Sequence, residues 1–204
     1  HIMGCVGDLI GAGLNTVWHT IRWAVLYLTV YPEIQAKVQA QIDNTIGKDM
    51  PRPEDRNHLP LVEATLLEVW RHAALVPLLL PHATTRDTTL FGFYVPSDTL
   101  VFVNMRAVGR DEKVWKDPDT FDPDRFIDED GNVDKNIGED ALPFGGGARR
   151  CPGELLARIE TFLLLTRLLQ CCKFEKVPGG KYELEPEFNF AFEPQYYEVI
   201  VSSR

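Results

Sequence analysis

The sequence predicts a mainly α-helical fold with a small β region on one side. Four stretches repeat apolar residues at helical spacing: residues 4–30, 32–46, 59–75 and 152–172. Short β-branched runs broken by turn residues fill residues 77–103, and residues 182–204 have the pattern of a terminal hairpin. The 204 residues could form one large domain or two small ones, and no internal repeat or linker marks a division between residues 1 and 204.

The first predicted helix covers residues 4–30 and stops just before Pro32. The sequence begins inside the apolar pattern without a capping residue. We therefore expect it to begin partway along a helix of a longer protein. Gly11 and Gly13 lie in the helix interior, where each costs about 1 kcal/mol relative to alanine. This cost predicts that something flat passes close to the backbone there.

The second and third helices have recognisable ends. Pro32 starts the second helix and Gly47 follows its last residue. The third helix carries Glu68 and Arg71, whose i,i+3 spacing puts both on one face. Taken alone, such a pair is typical of a solvated surface ion pair that contributes little to stability.

Two irregular segments surround the predicted β region. Residues 77–103 are expected to form two or three small strands. Residues 114–140 are acidic and rich in proline, a composition that indicates a long loop with a functional role or poor order. The fourth helix follows this loop.

Composition and charge exclude several classes of protein. The net charge of −9, from 30 acidic and 21 basic side chains, disfavours a nucleic-acid binder, which needs a basic surface. The four cysteines form no C-x-x-C pair, which favours a reduced, cytosol-facing compartment over a disulfide framework. No apolar run approaches the roughly 20 residues of a membrane span.

The stretch "FGGGARRCPGE", residues 144–154, carries the strongest chemical signal. Its three glycines allow a tight turn with inward N–H groups. Cys151 stands at the start of the predicted last helix, where the positive helix end and the neighbouring Arg149 and Arg150 favour a thiolate anion.

Several chemistries could use such a cysteine. A cysteine-dependent phosphatase loop needs an arginine six positions on, but the first one after Cys151 is Arg158. The Gly-Lys-Ser/Thr of a phosphate-binding loop is missing, and a papain-like nucleophile could pair only with His82. A single thiolate suits the axial position of a haem iron, whereas zinc needs more protein ligands. A buried structural cysteine in a glycine-rich turn is the competing interpretation.

The residues around Cys151 match the signature of a known family. Phe144, Gly147, Arg149, Cys151 and Gly153 match F-x-x-G-x-R-x-C-x-G, the haem-binding signature of the cytochrome P-450 superfamily, which this sequence resembles. The resemblance implies the C-terminal half of that fold, with haem b (iron protoporphyrin IX) as cofactor. It implies that Cys151 is the axial thiolate ligand and that Arg149 pairs with a haem propionate.

Two further stretches are similar to the family pattern. Arg125 in "FDPDRF" implies a structural Glu68–Arg71–Arg125 network. "GAGLNT" resembles A-G-x-D/E-T, which implies that Thr16 delivers protons to bound dioxygen. Asn15 replaces the usual carboxylate and cannot relay a proton by ionising. The competing interpretation of Thr16 is a hydroxyl bonded back to its own helix.

Residues 76–96 resemble animal microsomal family-1 xenobiotic hydroxylases. By this likeness His82 hydrogen-bonds a propionate, although a lone histidine is more often an ordinary surface or core residue. The implied substrate pocket comprises Ala12, Val76, Leu78 and Phe190. Residues 190–192 are alternatively core aromatics.

The resemblance implies an NADPH- and O₂-dependent monooxygenase that hydroxylates lipophilic or aromatic molecules of xenobiotic or steroid-like type. It also implies the cytoplasmic face of the endoplasmic reticulum membrane, with an N-terminal anchor outside these residues. Electrons are expected from NADPH-cytochrome reductase, a flavoprotein docking near Arg149, Arg150 and Arg158.

Two alternatives remain open. Asn15 also fits a haem-thiolate isomerase or dehydratase of oxygenated lipids. Residues 1–204 could instead be a partial chain without independent activity, because the apolar faces of its helices would lack their partners.

Overall fold

A computed structural model describes residues 1–134, 137, 141–189 and 191–204. The α-helices with assigned bounds are α1 (Ile2–Val30), α2 (Pro32–Thr45), α3 (Pro60–Ala73), α4 (Met105–Val108) and α5 (Glu154–Cys171). Short 3₁₀ turns cover Pro53–His58, Pro123–Phe126 and Gly147–Arg149. The predicted helix-dominated fold is confirmed.

The strands form four separate antiparallel pairs. They are β1 (His82–Ala83), β2 (Thr88–Leu90), β3 (Phe93–Val95), β4 (Leu100–Val101), β5 (Cys172–Lys176), β6 (Pro186–Phe188), β7 (Phe192–Pro194) and β8 (Val199–Ser203). Strand β1 pairs with β4, β2 with β3, β5 with β8, and β6 with β7.

The core lies between the second half of α1 and the helices α3 and α5. Trp23 of α1 stacks on Tyr27, which stacks in turn on Phe121 at a ring-centroid distance of 4.2 Å. Helix α3 is buried over most of its length, and Phe162 and Leu165 of α5 complete the layer. Helix α1 also contacts β7, because Trp23 Nε1 donates to the Phe192 carbonyl.

The first half of α1 is exposed on all sides among the described residues. Residues 1–15 are exposed although most of them are apolar; Leu14 is 67% exposed. A helix that is apolar all round is normally covered by other structure. Among the described residues, none of the helices combines the length and the apolar character that a bilayer span requires.

Two local predictions differ from the structure. The β region of residues 77–103 contains four short strands in two pairs rather than two or three strands. The end of the chain is not one hairpin, because only β6 and β7 form one, while β8 returns to β5. The side-chain amide of Gln35 contributes to the second difference: it donates to the Phe174 carbonyl and accepts from the Phe174 N–H, which bonds the middle of β5 to α2.

Candidate functional site

The cysteine loop is closed by a backbone hydrogen bond. The Cys151 N–H donates to the Phe144 carbonyl at 2.9 Å. Gly145 and Gly147 adopt φ values of +71° and +69°, a left-handed conformation that glycine adopts without a steric penalty. These two glycines therefore allow the chain to double back between Phe144 and Cys151.

The Cys151 thiol is free and half-buried. Helix α5 begins at Glu154 rather than at about residue 152, so Cys151 lies further before the first helical residue than predicted. The helix-dipole effect falls off within the first turn, and the carboxylate of Glu154 occupies that turn. The contribution of the helix to a Cys151 thiolate is thus smaller than the sequence predicts.

Phe144 anchors the loop on helix α3. Its ring packs edge-on against Trp70 at a centroid distance of 5.0 Å. The Arg158 guanidinium lies 4.9 Å from the Phe144 ring centroid and 5.3 Å from that of Trp70. Arg158 Nε also donates to Glu154 Oε1 at 3.0 Å. Sequence reasoning missed this clamp; the i,i+4 spacing of Glu154 and Arg158 was the available signal.

The other predicted cofactor contacts are exposed. Arg149 and Arg150 lie on the surface, and no described residue accepts a hydrogen bond from either guanidinium. His82 is exposed on β1 opposite Val101 and has no described side-chain partner. The three side chains are available to an anionic ligand, and the roles implied for Arg149 and His82 stay predictions.

The structure brings Glu68, Arg71 and Arg125 together in the core. Arg71 Nε and Nη2 donate to the two carboxylate oxygens of Glu68 at 2.6 and 2.8 Å. Arg125 Nε donates to Glu68 Oε1 at 3.2 Å, and the Asp122 N–H donates to the same oxygen at 2.8 Å. The Glu68 and Arg71 side chains are completely buried, so this is no solvated surface pair.

The two arginines also bind backbone carbonyls of the loop between α4 and the cysteine. Arg71 Nη1 donates to Gly109 O and to Pro118 O, and Arg125 Nη1 donates to Lys116 O. A Cβ at Gly109 would lie 2.7 Å from the Arg71 carbonyl oxygen, so only glycine fits there. The network therefore fixes an otherwise irregular loop onto α3.

A second polar cluster, which the sequence did not indicate, lies beside this network. His72 is buried; its Nδ1 is 2.8 Å from the Tyr27 hydroxyl and its Nε2 is 3.0 Å from the Asp119 carbonyl oxygen. Burial lowers the pKa of His72 to about 4 and is the chief cause. The ring is therefore neutral at physiological pH, accepting from Tyr27 and donating to Asp119.

Helix α1 carries Thr16 and Asn15, the residues predicted to act near bound dioxygen. The Thr16 hydroxyl donates to the Ala12 carbonyl at 2.8 Å, as in the competing interpretation of this threonine. Ala12 and Asn15 are exposed. A Cβ at Gly11 or Gly13 would meet nothing within 4 Å, so packing among the described residues does not require glycine at either position.

The predicted substrate-pocket residues are only partly described. Val76 is half-buried and Leu78 is exposed, both after the end of α3. Phe190 lies outside the described residues. The neighbouring Phe192 N–H donates to Leu75 O at 2.8 Å, which ties β7 to the segment that carries Val76.

The donor set around Cys151 fits an axial thiolate. The described part of the chain contains no cluster of three or more His, Cys, Asp or Glu side chains that could hold a metal ion. A zinc site centred on Cys151 would therefore lack its further ligands. One free thiol in a glycine turn could supply the single axial ligand of a haem iron, and the exposed arginines beside it could pair with the anionic propionates.

Together these features define a mainly α-helical protein whose cysteine loop is joined to a core held by a buried Glu–Arg–Arg network. It belongs to the cytochrome P450 family, whose model matches residues 1–201. The resemblance inferred from the sequence is thereby confirmed.

The chain is also similar in sequence and structure to individual cytochrome P450 proteins. The chain is 44% identical to cytochrome P450 1A1 of Chelon auratus over 189 residues, and 46% identical to that of Macaca fascicularis over 186 residues. A solved structure of a zebra fish cytochrome P450 with abiraterone superimposes with a TM-score of 0.89 at 38% identity.

These comparisons cover unequal shares of the two chains. The alignments include 92% and 91% of this chain but 36% of each relative, and the structural match includes 97% of this chain and 46% of the zebra fish chain. The chain thus spans little more than a third of the length of the curated relatives it matches.

Proposed function

We propose that residues 1–204 form the C-terminal part of the haem-binding domain of a haem-thiolate monooxygenase. The complete protein would use NADPH and O₂ to hydroxylate lipophilic small molecules. The observation that carries the proposal is the Cys151 loop, a free thiol in a closed glycine turn that is anchored through Phe144 to α3.

The residues of this chain have distinct roles in the proposal. Cys151 would ligate the haem iron, while Arg149 and His82 would bind its propionates. When bound, the haem would supply the redox-active iron that activates dioxygen. Thr16 would hold a proton at Oγ1, since the Ala12 carbonyl fixes this hydroxyl while its lone pairs can still accept a hydrogen bond.

The proposed substrate class rests on apolar side chains and on the relatives. Ala12, Val76, Leu78 and Phe190 would contact the substrate. Two of the solved structures similar to this chain are zebra fish cytochrome P450 structures, one with abiraterone and one with progesterone, which share 38% and 39% identity with it. Lipophilic ring systems are therefore the proposed substrates.

The redox partner and the cellular location are proposed from the family resemblance. NADPH-cytochrome reductase would deliver electrons at the endoplasmic reticulum membrane, docking beside the cysteine loop. Arg149 and Arg150 are exposed there. Arg158 is engaged with Glu154, Trp70 and Phe144, and the proposal already assigns Arg149 to a haem propionate, so we assign docking to Arg150.

The first prediction tests the thiolate. Cys151→Ser in the complete protein is expected to abolish the red-shifted carbon-monoxide band of the reduced haem, because an alcohol does not replace a thiolate as axial ligand. Cys171→Ser, a change at the other end of α5, is the matched control and should retain the band. An unchanged spectrum in the Cys151 variant would disprove the proposal.

Asn15 favours a second candidate function. An amide cannot ionise, and this fits a haem-thiolate isomerase or dehydratase acting on oxygenated lipids. Turnover of a lipid peroxide without NADPH and reductase would support this second candidate. NADPH-dependent hydroxylation would support the first.

A further inference from the structure

The β6–β7 hairpin is attached to helix α1 by polar contacts from one helix face. Trp23 Nε1 donates to the Phe192 carbonyl at 3.0 Å, and Arg22 Nη2 donates to the Pro194 carbonyl at 3.2 Å. Between these two bonds, His19 Nε2 lies 3.4 Å from Glu193 Oε1. Three consecutive residues of β7 are therefore held by α1.

His19 is the only one of these three helix residues that titrates near physiological pH. Its side chain is 9% exposed, and Nδ1 is buried without a hydrogen-bond partner among the described residues. A neutral ring with its proton on Nε2 leaves Nδ1 as a bare acceptor, which this site tolerates. A protonated ring would carry a buried N–H without an acceptor, which is unfavourable.

The charges around His19 act in opposite directions. Glu193 on β7 favours the protonated ring, and Arg22 on α1 opposes it. Burial, which is the largest effect and acts in the same direction as Arg22, outweighs Glu193 and lowers the pKa of His19 below its ordinary value. Since a solvated imidazole binds a proton more readily than the docked one, protonation favours release of the hairpin.

The hairpin lies between two segments that the proposed function assigns to the substrate side. His19 is less than one helical turn from Thr16, and the side chain of a helical residue leans towards the preceding turn. On the other side, the Phe192 N–H donates to Leu75 O, next to Val76. A shift of β7 would therefore alter both segments.

We propose that His19 is a positioning residue for the β6–β7 hairpin. Uncharged His19 allows the hairpin to dock on α1 beside Thr16, and protonation in mild acid loosens it. The link to substrate orientation rests on the proposed monooxygenase function, whereas the docking itself does not.

Hydrogen exchange in the complete, haem-loaded protein tests the docking. After correction for intrinsic exchange, protection of the Phe192 amide should fall between about pH 7.5 and about pH 5.5, with an upper limit of about tenfold set by the ordinary pKa of a solvated imidazole. His19→Gln and His19→Leu should remove this pH dependence. His58→Gln, at an exposed histidine in the Pro53–His58 turn, is the control and should retain it. Protection that is independent of pH in the wild type, or unchanged pH dependence in both His19 variants, would overturn the proposal.

The product ratio tests the positioning role separately. For a substrate hydroxylated at two positions, the ratio should shift over the same pH range in the wild type and stay constant in His19→Gln. A constant wild-type ratio in an enzyme that hydroxylates would overturn the positioning role. Failure of the proposed function has a different signature, namely loss of hydroxylation and of the carbon-monoxide band with the exchange result intact.

Discussion

At the scale of single residues, Glu68 is the centre of the buried network. Two guanidiniums and one backbone N–H share its carboxylate, and the Glu68 side chain is completely buried. The i,i+3 spacing to Arg71 is a local pattern that the sequence reveals. Burial of the pair and its connection to Arg125 depend on a distant segment, so only the resemblance to a known family predicted them.

Glu68→Gln should destabilise the protein by about 3–5 kcal/mol, because both arginines would stay buried without a compensating charge. The midpoint of urea unfolding in the complete protein measures the loss. Glu175→Gln removes the carboxylate of an exposed pair with Lys173 and should cost less than about 1 kcal/mol. Equal losses in the two variants would contradict a special role for Glu68.

At the scale of elements, helices were more predictable than strands. Apolar periodicity and the flanking Pro32 and Gly47 are local signals, and α1, α2, α3 and α5 follow them. Strand β5 has no such signal, since its middle residue Phe174 is bonded by Gln35, 139 positions away along the chain. The docking of His19 against Glu193 was unpredictable for the same reason.

Gln35→Ala should therefore weaken the β5–β8 pair. The Gln35 amide bonds the carbonyls of Leu28 and Phe174 and the N–H of Phe174, and leaving such buried groups unpaired costs about 1–3 kcal/mol. Exchange of the Phe174 amide should become faster. Lys37→Ala, which removes an exposed ion pair of the same helix, should leave that exchange rate unchanged; faster exchange in both variants would point to general loosening of α2.

At the scale of the whole molecule, the sequence predicted the fold class and the cysteine loop, but not how the loop is supported. The glycine and cysteine pattern is contiguous, whereas the Arg158 clamp on Phe144 and Trp70 joins two helices. Exposure is also a property of the whole fold. Apolar spacing in α1 predicts a buried helix, yet its first half contacts none of the described residues outside the helix closely enough to be buried.

This exposed half-helix determines how residues 1–204 should behave when expressed alone. Ile2, Met3 and Leu9 are more than half exposed, as is Trp18, and contiguous apolar surface of this kind drives association. The isolated chain should self-associate at micromolar concentration and bind a hydrophobic dye, while the complete protein should do neither to the same extent. Sedimentation velocity over a concentration series measures the association. Leu9→Glu with Ile10→Glu should reduce it, and Lys37→Glu with Lys48→Glu, charge changes outside α1, should not. A monomeric isolated chain that binds haem and gives the red-shifted carbon-monoxide band would show instead that these residues need no further partner for their core.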